Sequence, residues 1–139
     1  MAHFPLNHHL RQTYRFIAAL AGLYLLVAGV IGLVQTAGDP FFDRTGGDWA
    51  LGLRVNPAGS WLLVILGVLI LGGAVIGGNV YHHLSMVLGW GVMGIAMFVM
   101  AAIQTDVNVL NVSMVNVVVL AAAGLLVLTA GLYGKVERA

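Results

Sequence analysis

The chain has 139 residues, of which 60% are hydrophobic and only 8% are charged. A soluble domain carries about a quarter charged residues, so this composition excludes an ordinary water-soluble domain and indicates a chain that faces a lipid bilayer. The six basic and five acidic residues leave no electrostatic footprint for nucleic acid, and the lack of cysteine excludes disulfides and thiol catalysis.

The first predicted element is an apolar helix over residues 16–35 that contains no charged residue. Its length matches the roughly 20 residues that an α-helix needs to cross about 30 Å of hydrocarbon. No small-residue cleavage site follows it, so we expect a retained transmembrane helix and not a signal peptide. Arg11 and Arg15 precede this helix and are expected to contact anionic lipid headgroups.

The segment that follows, about residues 35–60, has turn signals at Gly38-Asp39-Pro40 and Gly46-Gly47. Between Trp49 and Val55 apolar residues occupy alternate positions, which predicts a short extended segment at the membrane interface. This outer loop is interpreted as a partner-binding edge, a lid over the bundle or a plain connector. Its candidate contact residues are Phe41, Phe42, Trp49, Leu51 and Leu53.

Three further apolar runs predict transmembrane helices over residues 58–77, 84–103 and 112–133. With the first helix they form a single four-helix transmembrane domain over residues 1–139. The fold class is therefore an all-α membrane protein, a four-transmembrane-helix bundle.

Five histidines occur as His3, His8-His9 and His82-His83, and the last pair lies in the loop predicted between the second and third helices. Adjacent histidines in an extended loop point in different directions, and no cysteine or acidic residue accompanies them. A buried haem needs imidazoles within helices. We therefore expect ordinary interfacial histidines, with no metal site and no cofactor.

Polar residues gather in the third loop, where Asp106 is followed by Asn108, Asn111, Ser113 and Asn116. Asparagine and serine at this position are typical of helix capping, which satisfies the free N–H groups at the start of the fourth helix. The alternative is an outer vestibule or a cation site.

The basic residues predict the orientation of the chain. Arg11, Arg15, Lys135 and Arg138 flank the bundle at its termini, whereas the loops on the opposite side carry two arginines. The positive-inside rule then places both termini in the cytoplasm of a bacterial inner membrane. Lys135 and Arg138 are also candidate headgroup contacts.

Glycine is abundant within the helices, and small residues let transmembrane helices approach closely. The glycines predict either a face for a neighbouring subunit or packing within the bundle. The candidate packing or partner residues are Gly22, Gly29, Gly73, Gly77, Gly124 and Gly131.

An internal repeat is also predicted. Gln35-Thr36 recurs as Gln104-Thr105 at an offset of 69, while an offset of 57 pairs Gly67 with Gly124. The 12-residue difference is assigned to a longer first outer loop. Two similar hairpins that enter from one side form a parallel repeat about the membrane normal.

Three segments carry a family resemblance: RQTYRFIAALAGLYLLVAGVIG from Arg11, DVNVLNVSMVN from Asp106, and GLLVLTAGLYGKV from Gly124. They resemble a family of actinobacterial four-helix membrane proteins known only as a domain of unknown function. The resemblance implies a bacterial inner-membrane protein and brings no activity or site. A weaker likeness is to DoxX-type proteins of respiratory and redox membranes.

These observations favour a non-catalytic accessory or assembly subunit of a larger membrane complex, with a respiratory complex as the natural host. We expect no catalytic residue and no small-molecule substrate. The first alternative is a small transporter or channel, for which the polar groups within the helices, such as Tyr24, Thr129 and Asn116, look too few. The second is a redox protein that binds haem or quinone.

Overall fold

The computed structural model describes residues 5–137. These residues form four α-helices and one antiparallel β-hairpin, and all four helices are long and apolar enough to cross a membrane. The all-α architecture with four helices of spanning length is thus confirmed. The elements are α1 (Arg11–Gln35), β1 (Trp49–Ala50), β2 (Leu53–Arg54), α2 (Pro57–Ile76), α3 (Gly78–Ala102) and α4 (Met114–Leu132).

The connection between α2 and α3 is much shorter than predicted. Gly77 and Gly78 adopt positive φ angles of 76° and 58°, so the chain reverses within two residues. Such angles suit glycine because it has no Cβ. As a result α3 begins at Gly78 and not at residue 84, and the predicted loop that carries His82 and His83 is wrong: both histidines lie on the first two turns of α3.

Two helical hairpins, α1–α2 and α3–α4, build the bundle, and their helices touch through glycine. A Cβ added to Gly67 of α2 would lie 2.7 Å from the Leu26 Cα of α1. In the second hairpin, a Cβ added to Gly124 of α4 would lie 2.9 Å from the Met93 backbone nitrogen of α3. Real Cβ atoms do not approach backbone this closely, so glycine is required for both contacts.

The two hairpins pack in the same register. Leu26 and Met93 differ by 67 positions, and the glycines that they contact, Gly67 and Gly124, differ by 57. Most buried residues of the four helices follow the same two offsets; for example, Leu25 and Val92 are both fully buried. The matching offset between α1 and α3 is therefore 67 and not the 69 that the Gln-Thr pairs predict.

Hydrogen bonds at the helix ends follow this register too. In the first hairpin the Arg15 guanidinium Nε donates to the carbonyl of Ala74, near the end of α2. The equivalent positions in the second hairpin are His82 and Gly131, and His82 Nδ1 lies 2.7 Å from the Gly131 carbonyl oxygen. Each hairpin therefore places a polar side chain of its first helix against a carbonyl near the C-terminus of its second helix.

The centre of the bundle is a filled apolar core to which all four helices and the β-hairpin contribute. Helices of different hairpins pack less extensively than those within a hairpin. The β-hairpin region contacts both halves, through α1 and α4. Buried members of this cluster are Leu25, Ala28, Ala50, Leu53, Val55, Leu63, Leu66, Ile70, Val92, Ala96, Leu120 and Val127.

Candidate functional sites at the two ends of the bundle

One end of the bundle is covered by residues 36–56 and 103–113, which we call the loop cap. Its β-hairpin pairs Trp49 with Arg54 and Ala50 with Leu53, and the two residues of the turn, Leu51 and Gly52, both have positive φ angles, 48° and 86°. Two positive φ angles are typical of the tight hairpin turn whose twist matches the strands.

This turn changes the predicted alternation. Because the chain reverses at residues 51–52, Trp49 and Leu51 do not share a face with Leu53 and Val55. Leu53 is fully buried in the core, so the prediction of a contact surface that includes Leu53 is wrong. Trp49 and Leu51 face outward and are about half exposed.

Two side chains from the helices hold the β-hairpin against the bundle. The Asn116 amide of α4 accepts a hydrogen bond from the Arg54 N–H at 2.9 Å and donates one to the Arg54 carbonyl at 2.8 Å. The Tyr24 hydroxyl of α1 donates to the Leu51 carbonyl at 2.8 Å. A transport pathway through the bundle would need such polar side chains within the helices. Both of these side chains instead attach the loop cap.

A second asparagine joins the two loops. The Asn56 side chain caps α2 by accepting a hydrogen bond from the Gly59 N–H at 2.7 Å. Its amide nitrogen donates to the carbonyls of Asp43 and Val109, at 2.9 and 2.8 Å. Since Asn56 is buried and each of its side-chain polar atoms is bonded, it fixes both loops to the start of one helix.

The third loop closes on itself. The Asn108 side chain accepts a hydrogen bond from the Val112 N–H and donates to the Ile103 carbonyl. Ser113 and Asn116 form a capping box at the start of α4. The amide of Asn111 donates to the Gly46 carbonyl of the first loop at 2.7 Å. The predicted capping of α4 is thus seen at Ser113 and Asn116, and the other asparagines hold the loops.

Charged groups meet on the outside of the loop cap. Arg44 forms an exposed ion pair with Asp106, with an N···O distance of 2.8 Å. The hydrogen bond and the charge of Arg44 lower the pKa of Asp106. The pKa of Asp43 is lowered as well, because the backbone N–H and then the hydroxyl of Thr45 donate to its carboxylate.

Four large apolar side chains of the first loop are exposed. We call the outward-facing residues Phe41, Phe42, Trp49 and Leu51 the loop-cap patch; they are 52%, 55%, 47% and 50% exposed. The rings of Phe41 and Phe42 are in edge contact, with centroids 4.7 Å apart. Four of the five predicted contact residues therefore lie on one exposed segment, and the fifth, Leu53, lies beneath them.

The predicted glycine face lies inside the bundle. Gly22 and Gly29 of α1 approach the backbone of α2, and Gly124 and Gly131 of α4 approach that of α3. Gly73 faces the Leu84 side chain. Gly77 forms the turn after α2, next to the Arg15 guanidinium. Since all six are buried, they are occupied by contacts within the chain and are not open to a second subunit.

The opposite end of the bundle, the terminal end, brings together residues 5–15, the α2–α3 turn and residues 133–137. The Asn7 N–H donates to the Lys135 carbonyl at 3.0 Å, and the Asn79 amide donates to the Val136 carbonyl at 2.9 Å. Arg11 and Lys135 are exposed, and Arg15 is half-buried. Arg138, the remaining predicted headgroup contact, lies outside the described residues.

The histidines are spread over the terminal end. The His8 ring is buried next to Tyr14 and Tyr133, and the Leu10 N–H donates to its Nδ1. His83 Nδ1 lies 2.7 Å from the Asn79 carbonyl oxygen of its own helix. Within residues 5–137, no three His, Cys, Asp or Glu side chains are placed to hold a metal ion. His3 lies outside the described residues.

The loop-tying roles of Asn56 and Asn116 are not predicted from the residues alone. Asn56 directly precedes Pro57, and asparagine before proline at a helix start is a capping signal. Asn116 stands in an otherwise apolar run, where an amide needs a partner. These signals could have located both residues, although not the carbonyl groups that they bind.

The chain matches no protein-family model, no curated protein and no solved structure. The resemblance to an actinobacterial family therefore stays a prediction.

Proposed function

We propose that this chain is a non-catalytic accessory or assembly subunit of a larger integral membrane complex in a bacterial inner membrane. The observation that carries the proposal is the loop-cap patch, which displays exposed aromatic side chains on a loop held by hydrogen bonds from two helices. Aromatic side chains on a preorganised backbone contribute strongly to protein interfaces, because little conformational entropy is lost on binding.

The filled core supports a structural role over transport within one chain. The space between the loop cap and the helices, lined by Val55, Leu63 and Asn116, measures only about 10 Å³. A water molecule needs a cavity at least about that large and several polar partners. Tyr24 and Asn116, two of the polar side chains within the helices, are bonded to the loop cap.

The charge distribution supports an orientation with both termini in the cytoplasm. The terminal end carries Arg11, Arg15 and Lys135, together with Arg138 from the sequence, and the loop cap carries Arg44 and Arg54. Lysine and arginine are enriched on the cytoplasmic side of membrane proteins. In this orientation the loop-cap patch faces a partner on the outer side, and the two similar hairpins form a parallel repeat. The host is a larger membrane complex, and a respiratory complex is the natural host in a membrane of the actinobacterial type that the sequence resembles.

Mass spectrometry of what co-purifies with the tagged full chain from native membranes in mild detergent tests the proposal. We expect stoichiometric recovery of one large complex. The double variant Phe41→Ser/Trp49→Ser should insert normally and lose the complex, because it removes exposed side chains only. Trp90→Ser is the matched control, since Trp90 is an exposed aromatic on α3, away from the loop cap. Recovery of the chain alone across several detergents, or equal loss with the control, would overturn the proposal.

A further inference from the structure

A small polar cavity opens at the terminal end, where α1 meets the start of α3 and the C-terminal segment. It measures about 170 Å³ and is lined by Arg11, Gln12, Arg15, Gly78, Tyr81, Gly134 and Val136. A water molecule in the liquid occupies about 30 Å³, so the cavity has room for a phosphate group. Two of its side chains are arginines, whose planar groups match phosphate oxygens.

The two arginine side chains differ in the hydrogen bonds that hold them. The Arg15 guanidinium donates through Nε to the Ala74 carbonyl and through Nη2 to the Val75 carbonyl, which leaves Nη1 without a hydrogen bond. The Arg11 side chain is exposed and forms no hydrogen bond or ion pair within residues 5–137. Arg15 is therefore held in place by the end of α2. Arg11, one turn earlier on the same face of α1, has a side chain that is free to bind a ligand.

Further donors border the same cavity. Gly78 is the first residue of α3, so its N–H has no acceptor within that helix. The Tyr81 hydroxyl is buried beside Ser85 and makes no hydrogen bond of normal geometry with the described residues. The acidic side chain of this region is Glu137, which follows the lining residue Val136 and is exposed. The lining itself contains cationic and neutral donors and no carboxylate.

An apolar groove continues from this cavity along the outside of the α1–α2 hairpin. It measures about 420 Å³ and shares Gln12 and Arg15 with the polar cavity. Its remaining lining residues are Phe16, Ala19, Ala74 and Val75. A polar cavity and an apolar groove that meet at one arginine match a molecule with an anionic head and a hydrocarbon chain.

From this arrangement we propose that the terminal end holds one anionic phospholipid, with its phosphate between Arg11 and Arg15 and an acyl chain in the groove beside Phe16 and Ala19. Phosphate contacts from arginine are charge-assisted and selective for anionic lipids at the membrane surface. The bound lipid would join α1, the end of α2 and the start of α3. This proposal rests on membrane insertion of the bundle and does not depend on the partner complex.

Native mass spectrometry of the delipidated full chain tests the site. Phosphatidylglycerol and phosphatidylcholine with identical acyl chains are titrated, and the dissociation constant of the first bound lipid is measured. We expect the anionic lipid to bind about tenfold more tightly, and Arg11→Gln to remove this preference. Arg44→Gln is the matched control, because it removes an arginine from the opposite end. Bound phosphatidylglycerol should also raise the unfolding temperature of the wild type and not that of Arg11→Gln.

Two further ligands distinguish a lipid from a free phosphate. Deacylated glycerophosphoglycerol and inorganic phosphate present the head without the chains, so we expect both to compete at least tenfold more weakly than the full lipid. Equal competition by either would show a phosphate site and overturn the lipid assignment. Equal binding of the two phospholipids, or equal weakening by Arg11→Gln and Arg44→Gln, would overturn the site itself.

Discussion

The connection in the α1–α2 hairpin runs over residues 36–56 and folds into a β-hairpin, whereas that in α3–α4 runs over 103–113 and is closed by Asn108. The helices of both hairpins nevertheless pack in one register, set by Gly67 and Gly124. The helix contacts are therefore insensitive to the loop that joins them. The longer loop has a different role, because its buried residues pack into the core shared by both hairpins and it exchanges two hydrogen bonds with α4.

The largest expected effect concerns the loop residue that enters the shared core. Leu53→Ala leaves a cavity at a fully buried position, and such truncations cost about 2–5 kcal/mol. Its counterpart at an offset of 57, Leu110, is only partly buried, so Leu110→Ala should cost clearly less. Thermal unfolding of both variants in the same detergent measures the difference. Equal losses would contradict a special role for the first loop.

The second prediction tests the common register of the hairpins. Gly67→Ala and Gly124→Ala each place a Cβ against backbone that cannot rotate away, and overpacking of this kind costs about 1–3 kcal/mol. Gly72→Ala is the control, because a Cβ at Gly72 meets open space and alanine favours the helix. Unfolding free energies should fall alike for the first two variants and not for the control. A loss in only one hairpin would argue against equivalent packing.

The third prediction compares the two helix caps. Asn56→Ala removes the cap of α2 together with the bonds to Asp43 and Val109, whereas Ser113→Ala removes part of the cap of α4 alone. Loss of a cap costs about 0.5–2 kcal/mol, and we expect Asn56→Ala at the upper end of this range. Hydrogen exchange should show faster opening of both loops in Asn56→Ala. Faster hydrogen exchange in α2 alone would show that the Asn56 side-chain amide does not join the two loops.

The smallest effect is expected at the ion pair between the loops. The folded state lowers the pKa of Asp106, so the pair stabilises the chain above the unfolded carboxyl pKa of about 3.9 and the contribution is lost as pH falls through the folded value. Unfolding temperatures of wild type and Asp106→Asn should therefore differ at about pH 6 and converge as the pH falls below about 3.9. Asp39→Asn, at an exposed loop-cap carboxylate without an ion pair among the described residues, is the control. A constant difference in unfolding temperature across this range would show that the ion pair does not account for the difference in stability.

Several features follow from local composition. Four uncharged apolar runs of spanning length predict four helices, because an α-helix satisfies its own backbone and needs no information from distant residues. Asn56-Pro57 and Ser113 mark helix starts for the same local reason. The predicted offset of 57 between α2 and α4 also agrees with the packing, since repeated glycines lie on the contact face itself.

Other features depend on contacts between distant parts of the chain. The direction that Leu53 faces was decided by a two-residue turn, since a chain reversal inverts the pattern that alternation predicts. The six candidate glycines lie inside the bundle because the distance between two helix backbones depends on both helices. The sequence of one apolar segment does not reveal that distance. The cavity between Arg11 and Arg15 likewise exists because Gly77 and Gly78 bring α3 beside α1. Sequence periodicity specifies each helix, and the close approach of backbones specifies what each residue can contact.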